Sequence, residues 1–306
     1  MKPAPFEYLA PRSLDEALGA LAHGDGEARI LAGGQSLIPL LNFRLARPRL
    51  LVDLGRIPEL SYVEPRDDGY AIGAMTTDRR VERDGRLATE VPLLTEAITC
   101  VGHPAIRSRG TLGGSLAHAD PAAELPAVAV CLDAQLTIAG PRGERTVPAE
   151  DFFLGYLTTA LEADEILTRA WFPARAPFTG HAWLELTRRH GDFALVGVGV
   201  SLTLASDCVR EARVVLTGVG ATPVRAREAE IVLVSGSVPE RVEAAADAVR
   251  SAIDPEADIH ASKEYRVHVA GVLAERAIRL AHARAVAPPP SALDVGRLLE
   301  GMARRA

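Results

Sequence analysis

The sequence predicts an α+β protein in three consecutive blocks, residues 1–60, 61–176 and 177–306. Three observations lead there. Short apolar strand-like runs alternate with helical periodicity through the first half of the chain. Three β-rich runs then follow one another without a helix between them, the mark of an antiparallel sheet rather than a βαβ repeat. Two segments with paired glycines, Ala32-Gly33-Gly34-Gln35-Ser36 and Thr111-Leu112-Gly113-Gly114-Ser115, each lead into a small-residue, helix-like stretch.

In the first block, Ser13-Leu14-Asp15-Glu16 is a capping box, and Leu14, Ala17, Leu18 and Leu21 recur at helical spacing until His23-Gly24. Arg29 to Leu31 reads as a strand feeding the first glycine segment, Ser36 to Phe43 as a short helix, and Leu50 to Leu54 as a second strand. The second block opens with a hairpin, Ser61 to Glu64 and Tyr70 to Ile72 around Asp67-Asp68-Gly69. A helical stretch runs to about Gly102, followed by the second glycine segment, a helix over 122–132, and strands over 134–139 and 166–172. Pro173 to Pro177 reads as the linker that closes it. The third block carries strands over 182–186, 196–204 and 209–216, covered by helices over 239–253 and 262–285. The second of these helices presents Val267, Ala270, Leu273, Ala277 and Leu280 on one face, and a last short helix spans 292–304.

A chain of 306 residues, 48% hydrophobic and 24% charged, suits two or three modest domains with their own cores. The net charge of −6 gives no electrostatic case for nucleic acid or an anionic membrane surface. The opening Met1-Lys2-Pro3-Ala4-Pro5-Phe6 lacks the apolar segment of a signal peptide, and no run reaches the roughly 18 apolar residues of a membrane helix, so a cytoplasmic protein is expected. Cys100, Cys131 and Cys208 are scattered and odd in number, against a disulfide framework or a four-cysteine iron–sulfur or zinc site.

Paired glycines let a phosphate approach the backbone, and successive N–H groups entering a helix face it with partial positive charge. Two such segments can hold both halves of one pyrophosphate. Gly197-Val198-Gly199 and Gly218-Val219-Gly220 lack the third glycine opening a helix, so a Rossmann NAD site is unsupported and both read as glycines in strands or turns. His103 and His118 are single imidazoles without a metal-ligand partner at the right spacing and read as packing groups.

The motifs AGGQSL and TLGGSLAHADPAAELP resemble the two FAD-binding segments of the flavoprotein (medium) subunit of the molybdenum hydroxylases, the carbon monoxide dehydrogenase and xanthine dehydrogenase type. The resemblance covers nearly the whole chain: Phe6 to Pro11, Arg107-Ser108-Arg109-Gly110, Arg188 to Ala194 and Ser262 to Arg266 fit it as well. It implies a two-subdomain FAD-binding fold of the p-cresol methylhydroxylase/vanillyl-alcohol oxidase type, then a C-terminal domain of a three-stranded antiparallel sheet with helices. It implies FAD on this chain, two [2Fe-2S] clusters on a small partner subunit and a molybdenum–molybdopterin cofactor on a large one, in a dimer of heterotrimers. Electrons then leave substrate at the molybdenum and exit through this subunit, which holds no metal and no catalytic side chain of its own.

By the same resemblance Gly33, Gly34, Gln35 and Ser36 face the pyrophosphate, and Ala32 and Leu37 line the ligand. Thr111, Gly113, Gly114 and Ser115 face phosphate or ribitol, and Glu124 matches an acidic position that contacts the adenosine ribose. Asp120 is the competing carboxylate, with capping a helix that starts at Pro121 as its other role. His118 is expected to pack on the cofactor, Val101 to lie near the flavin, Leu167 to give an aliphatic contact, and Phe193 to belong to the segment beside the isoalloxazine. Leu184 stands where xanthine dehydrogenases carry a flavin-contacting lysine, which shifts that burden to Arg188 or Arg189. Two other readings remain open: a stand-alone FAD-dependent reductase or oxidase acting directly on a small organic substrate, and a nucleotide-binding assembly subunit without redox activity. Single replacements of Cys100, Cys131 and Cys208 by alanine are expected to leave cofactor content unchanged, and loss of an iron signal from any of them would contradict the cluster-free assignment.

Overall fold

The structure of the chain, a computed structural model, describes residues 1–24 and 26–287. The helix expected over 292–304 lies outside the described residues. The first block holds β1 (Glu7–Leu9), α1 (Leu14–His23), β2 (Ala28–Leu31), α2 (Leu37–Asn42) and β3 (Leu50–Asp53). Its parallel sheet has the order β1-β3-β2. Ser13 caps α1 by accepting from the Glu16 N–H, whereas the Glu16 carboxylate reaches back one residue further than a capping box requires, to the Arg12 N–H at 2.8 Å. Strand β1 escaped the sequence reading because three residues among Pro3, Pro5 and Pro11 are too few to show a period. Parallel pairing to β3 holds it, helped by the Tyr8 hydroxyl donating to Asp53 at 2.5 Å.

The second block begins with the expected hairpin, β4 (Val63–Arg66) and β5 (Gly69–Gly73), turning at Asp67 with φ +55°. The long helical stretch is three short helices, α3 (Asp78–Arg83), α4 (Gly85–Glu90) and α5 (Pro92–Ile98). Asp84 separates the first two by capping the Arg86 and Leu87 N–H groups, and Pro92 opens the third. After α6 (Pro104–Arg107), α7 (Leu112–His118) and α8 (Glu124–Cys131) come β6 (Gln135–Gly140), β7 (Gly143–Pro148), α9 (Ala149–Phe152), the small pair β8 (Phe153–Gly155) and β9 (Thr158–Thr159), and β10 (Ile166–Pro173). The sheet has the order β4-β5-β10-β6-β7 and is antiparallel throughout. Strand β7 was not foreseen because it is a polar edge strand, largely exposed, without an apolar face to give it a period.

The third block carries one strand more than expected. Strands β11 (Thr179–Leu186), β12 (Val196–Ala205), β13 (Cys208–Thr217) and the two-residue β14 (Val224–Arg225) pair antiparallel in that order. Helices α10 (Arg227–Val234), α11 (Val238–Ala252) and α12 (Lys263–Val286) cover one face. On α12, Ala270, Leu273 and Ala277 are buried as expected, with Val267 and Leu280 at the margins of the stripe. The two decoy glycine pairs are structural: Gly197 and Gly199 make room in β12 for the Trp183 ring, and Gly218 takes a turn with φ +78°. Trp183 and Val215 point to the other side, into the core of the second block, so the two blocks share packing through α8.

Arg107 is the largest fully buried side chain. Its guanidinium forks onto both oxygens of buried Glu82 at 3.2 Å and donates to the carbonyls of Val101 and Gly102 at 3.1 Å. This pins the 99–107 loop to α3. Arg107→Met is therefore expected to lower unfolding stability in urea by about 3 kcal/mol, near the low end for breaking a buried pair because Arg79 still holds Glu82. A loss under about 1 kcal/mol would show that the pair carries no net weight.

Candidate functional site

The first glycine segment leaves β2 at Leu31 and enters α2 at Leu37, and its two glycines answer different demands. A Cβ on Gly33 would stand 2.8 Å from the Cα of Gly110 and collide with the Arg109 carbonyl, so this position is a backbone-to-backbone contact between the two segments. Gly34 has φ +75°, a conformation that side chains disfavour. Among the described residues, the N–H groups of Gly33, Gly34, Gln35 and Ser36 meet no protein acceptor. Four adjacent donors at a helix entrance are available to an anion.

The second segment is built differently from the expectation that both would present free N–H groups. It is the N-cap and first turn of α7, and the amides of Leu112 to Ser115 are already spent. Leu112 donates to the Thr76 carbonyl at 3.0 Å, Gly113 to Ala74 at 2.9 Å, Gly114 to the Thr111 hydroxyl at 3.1 Å and Ser115 to the Thr111 carbonyl at 3.0 Å. What it contributes is closeness and hydroxyl groups. Gly113 lies where a Cβ would meet the Ala74 Cα at 2.7 Å, and Gly114 where one would meet Thr111 Oγ1 at 2.7 Å and Ala32 at 3.3 Å. The hydroxyl hydrogens of Thr111 and Ser115 remain free to donate.

Between the segments lies a cavity of about 780 Å³. Its wall brings together Ala32, Gly33, Gly34, Gln35, Ser36, Leu37, Val101, Thr111, Gly113, Gly114, Ser115, His118, Asp120, Glu124, Leu167 and Phe193, the positions expected from the sequence to contact FAD. A second cleft of about 630 Å³ shares Ala32 to Gln35 and reaches Asp53, Ser61 and Arg109. Leu167 is aimed by an irregularity in β10 between Leu167 and Arg169, where the Thr168 carbonyl turns to accept from the Ala74 N–H. His118 ends α7, and Ala119, with φ +51°, turns the chain away.

Asp120 does not cap a helix at Pro121. Its Oδ1 accepts from the Ala122 N–H at 2.9 Å in a local turn, and α8 starts only at Glu124. Glu124 is buried, and its carboxyl is pushed up to about 8 by that burial first and then by Glu185, with Asp78 and Asp120 adding and its own backbone N–H opposing. At the mouth, Phe193 is 60% exposed, and Gly191 (φ +85°) lets the 187–195 segment lie against the His103 ring.

Arg188 and Arg189, expected to take over from a flavin-contacting lysine, stand outside the cavity wall, and Arg188 bonds to His260 at 3.0 Å. Leu184 packs on the core of the third block. The sequence reading missed Asp78, Met75 and Gly110, and the β8–β9 region with Leu157, Thr159 and Leu161, all of which line the cavity. Asp78 carries no sequence signal beyond an acidic residue at a helix start, which is a common surface feature. Among the described residues no group of His, Cys, Asp and Glu side chains is placed to hold a metal ion, and no helix is long and apolar enough to cross a membrane.

Residues 4–175 match the FAD binding domain in molybdopterin dehydrogenase, and residues 181–281 match the CO dehydrogenase flavoprotein C-terminal domain. The chain is 40% identical over 288 residues to the 6-hydroxypseudooxynicotine dehydrogenase complex subunit alpha of Paenarthrobacter nicotinovorans, covering 93% of this chain and 97% of that one. It superposes on a chain of carbon monoxide dehydrogenase from Hydrogenophaga pseudoflava with a TM-score of 0.91 at 38% identity, over 93% of this chain and 99% of the other. Quinoline 2-oxidoreductase from Pseudomonas putida 86 gives a TM-score of 0.90 at 40% identity, over 94% and 100%.

Gly114→Val would force apart Thr111 and Ala32, the two sides of the cavity. The variant is expected to lose bound flavin, read by absorbance of the purified protein, while circular dichroism shows the third block still folded. Full flavin occupancy would remove this segment from the site.

Proposed function

The chain belongs to the family of FAD-binding subunits of molybdopterin dehydrogenases, and from that we propose that it is the electron-exit subunit of a cytoplasmic molybdenum hydroxylase complex. The observation that carries the reading is the row of unpaired N–H groups on Gly33 to Ser36, pressed by Gly33 against a second segment that a Cβ would drive away. An FAD pyrophosphate fits that donor set, and the cavity is large enough for a dinucleotide in an extended form. The residues present therefore suit the group.

Each wall has a distinct task in this reading. The Gly33 to Ser36 amides hold the phosphates, while the hydroxyls of Ser36, Thr111 and Ser115 donate to phosphate or ribitol oxygens. Glu124 accepts from ribose hydroxyls. Leu37, Val101 and Leu167 exclude water from the apolar parts of the ligand, and Phe193 stands at the opening where an electron acceptor would arrive. Bound FAD supplies the means of joining one-electron donors to a two-electron acceptor. The donors are placed on a small [2Fe-2S] subunit and the molybdopterin on a large one, in a dimer of heterotrimers. The scattered Cys100, Cys131 and Cys208, none of them disulfide-bonded, support siting the clusters on another chain.

Absorbance and metal analysis of the chain, alone and coexpressed with its chromosomal neighbours, test this. One FAD per chain is expected, with iron and molybdenum only in the coexpressed complex. Reduction of the isolated chain by a small organic substrate would favour a stand-alone reductase or oxidase instead, and absence of flavin would favour an assembly subunit.

A further inference from the structure

Large apolar side chains gather on the outer side of the first block. Phe43 and Leu45, in the turn after α2, are 64% and 76% exposed, and Ile38 on α2 and Phe6 and Tyr8 at the strand edge are exposed with them. Two links place the group on one side of the block. The Arg44 guanidinium donates from Nε to the Lys2 carbonyl at 3.3 Å, and the Tyr8 hydroxyl donates to Asp53, which lines the second cleft together with Ile38. Strand β1 is an edge of its sheet, with one side open to a further chain. Arg44 turns the backbone with φ +59°, a conformation uncommon outside glycine, so Phe43 and Leu45 stand in solvent at a cost in strain. A contiguous apolar face of this kind marks an interaction site.

The other side of the same helix and turn is cavity wall. Leu37, Leu40 and Ala46 line the large cavity, whereas Ile38, Phe43 and Leu45 do not. One helix with its following turn therefore separates the apolar face from the cavity, and a helix with its side chains is about 10 Å across. A chain seated on the face comes within that thickness of whatever the cavity holds. The Phe193 opening is carried by the third block, so the two approaches are distinct. Charge narrows the choice of occupant. Arg44 and Arg47 meet only carbonyl oxygens among the described residues, while Arg49 pairs with Glu27. Four thiolates give a [2Fe-2S] cluster a net negative charge in either oxidation state, and uncompensated arginines favour a partner of that sign. A two-fold contact between copies centred on this turn would set the arginines against their own images. A molybdenum subunit hands its electrons to the clusters and has no need of this approach.

We infer that the outer face of α2 and β1 is where the iron–sulfur partner subunit docks, with Phe43 and Leu45 as apolar anchors and Arg44 and Arg47 facing acidic groups on that partner. The inference rests on the electron-exit reading of the chain. It places the electron donor behind the first block and leaves the Phe193 opening to the acceptor.

The test uses the tagged full chain coexpressed with its chromosomal neighbours. With photoreactive p-benzoylphenylalanine in place of Phe43, irradiation of the purified complex is expected to crosslink this chain to the iron–sulfur subunit, identified by mass spectrometry. The double variant Phe43→Asp with Leu45→Asp should keep its FAD, because neither side chain lines the cavity, and should recover at least about tenfold less iron per FAD. Phe178→Asp with Ile231→Asp, at two exposed apolar positions of the third block, should recover as much iron as the unaltered chain. FAD content and thermal melts of each variant purified alone check folding. A crosslink to the molybdenum subunit, to a second copy or to no chain, in a complex that contains the iron–sulfur subunit, overturns the inference. So does unchanged iron per FAD in the folded Phe43 and Leu45 double variant. Failure of the unaltered chain to bring down any iron-bearing chain would overturn the electron-exit reading itself.

Discussion

The contact of Gly33 with the backbone of Arg109 and Gly110 sets the geometry on which the site depends. It brings the backbone of the first block against that of the second, so that the amides of one segment and the hydroxyls of the other line one cavity. Both sides are fixed from behind. Gly34 can turn into α2 because it accepts a positive φ, and α7 is held to β5 by the Gly113 amide on the Ala74 carbonyl. The asymmetry between the segments is informative: the first keeps its amides free for a ligand, and the second spends its own on Thr111 and on the Ala74 and Thr76 carbonyls.

Arg107, buried just ahead of that second segment, ties the loop before it to α3. The guanidinium satisfies Glu82 and the carbonyls of the 99–102 loop, so the turn that carries Val101 and Gly102 has no need of water. The arrangement uses up the cation that would otherwise neutralise Asp78. Two carboxyls, Asp78 and Glu124, are left in the cavity wall in surroundings that favour their neutral forms.

The legible parts of the chain were those with a local signature. Paired glycines, the Ser13 cap, the Asp67-Asp68-Gly69 turn and the three long β runs of the third block could be read because turn chemistry and side-chain period act within a few residues. Among the elements that escaped were β1, β7 and β14, which owe their form to a neighbouring strand, and α10, which lies against β13. At the site the same division holds. Positions within the two motifs could be found, whereas Asp78 and the residues around β8 and β9 reach the cavity only through tertiary folding. The amide bonds of Leu112 and Gly113 were illegible for the same reason, since their acceptors, Thr76 and Ala74, sit nearly forty residues earlier in the chain.

The third block looks remote from the glycine segments, yet it shapes two walls of the cavity. The Thr217 hydroxyl reaches the carbonyls of Pro121 and Ala123 at 2.8 and 2.9 Å, and the Gly218 N–H also donates to Pro121. These bonds hold the turn between Asp120 and Glu124. Arg266, near the start of α12, donates to the Gly218 carbonyl at 3.0 Å and to the Leu195 carbonyl at 2.5 Å, and pairs with Asp258 at 2.8 Å. One buried guanidinium thus ties the strand end that holds Glu124 to the segment that carries Phe193. The same side chain therefore braces, from outside the cavity, both the turn before Glu124 and the segment that carries Phe193.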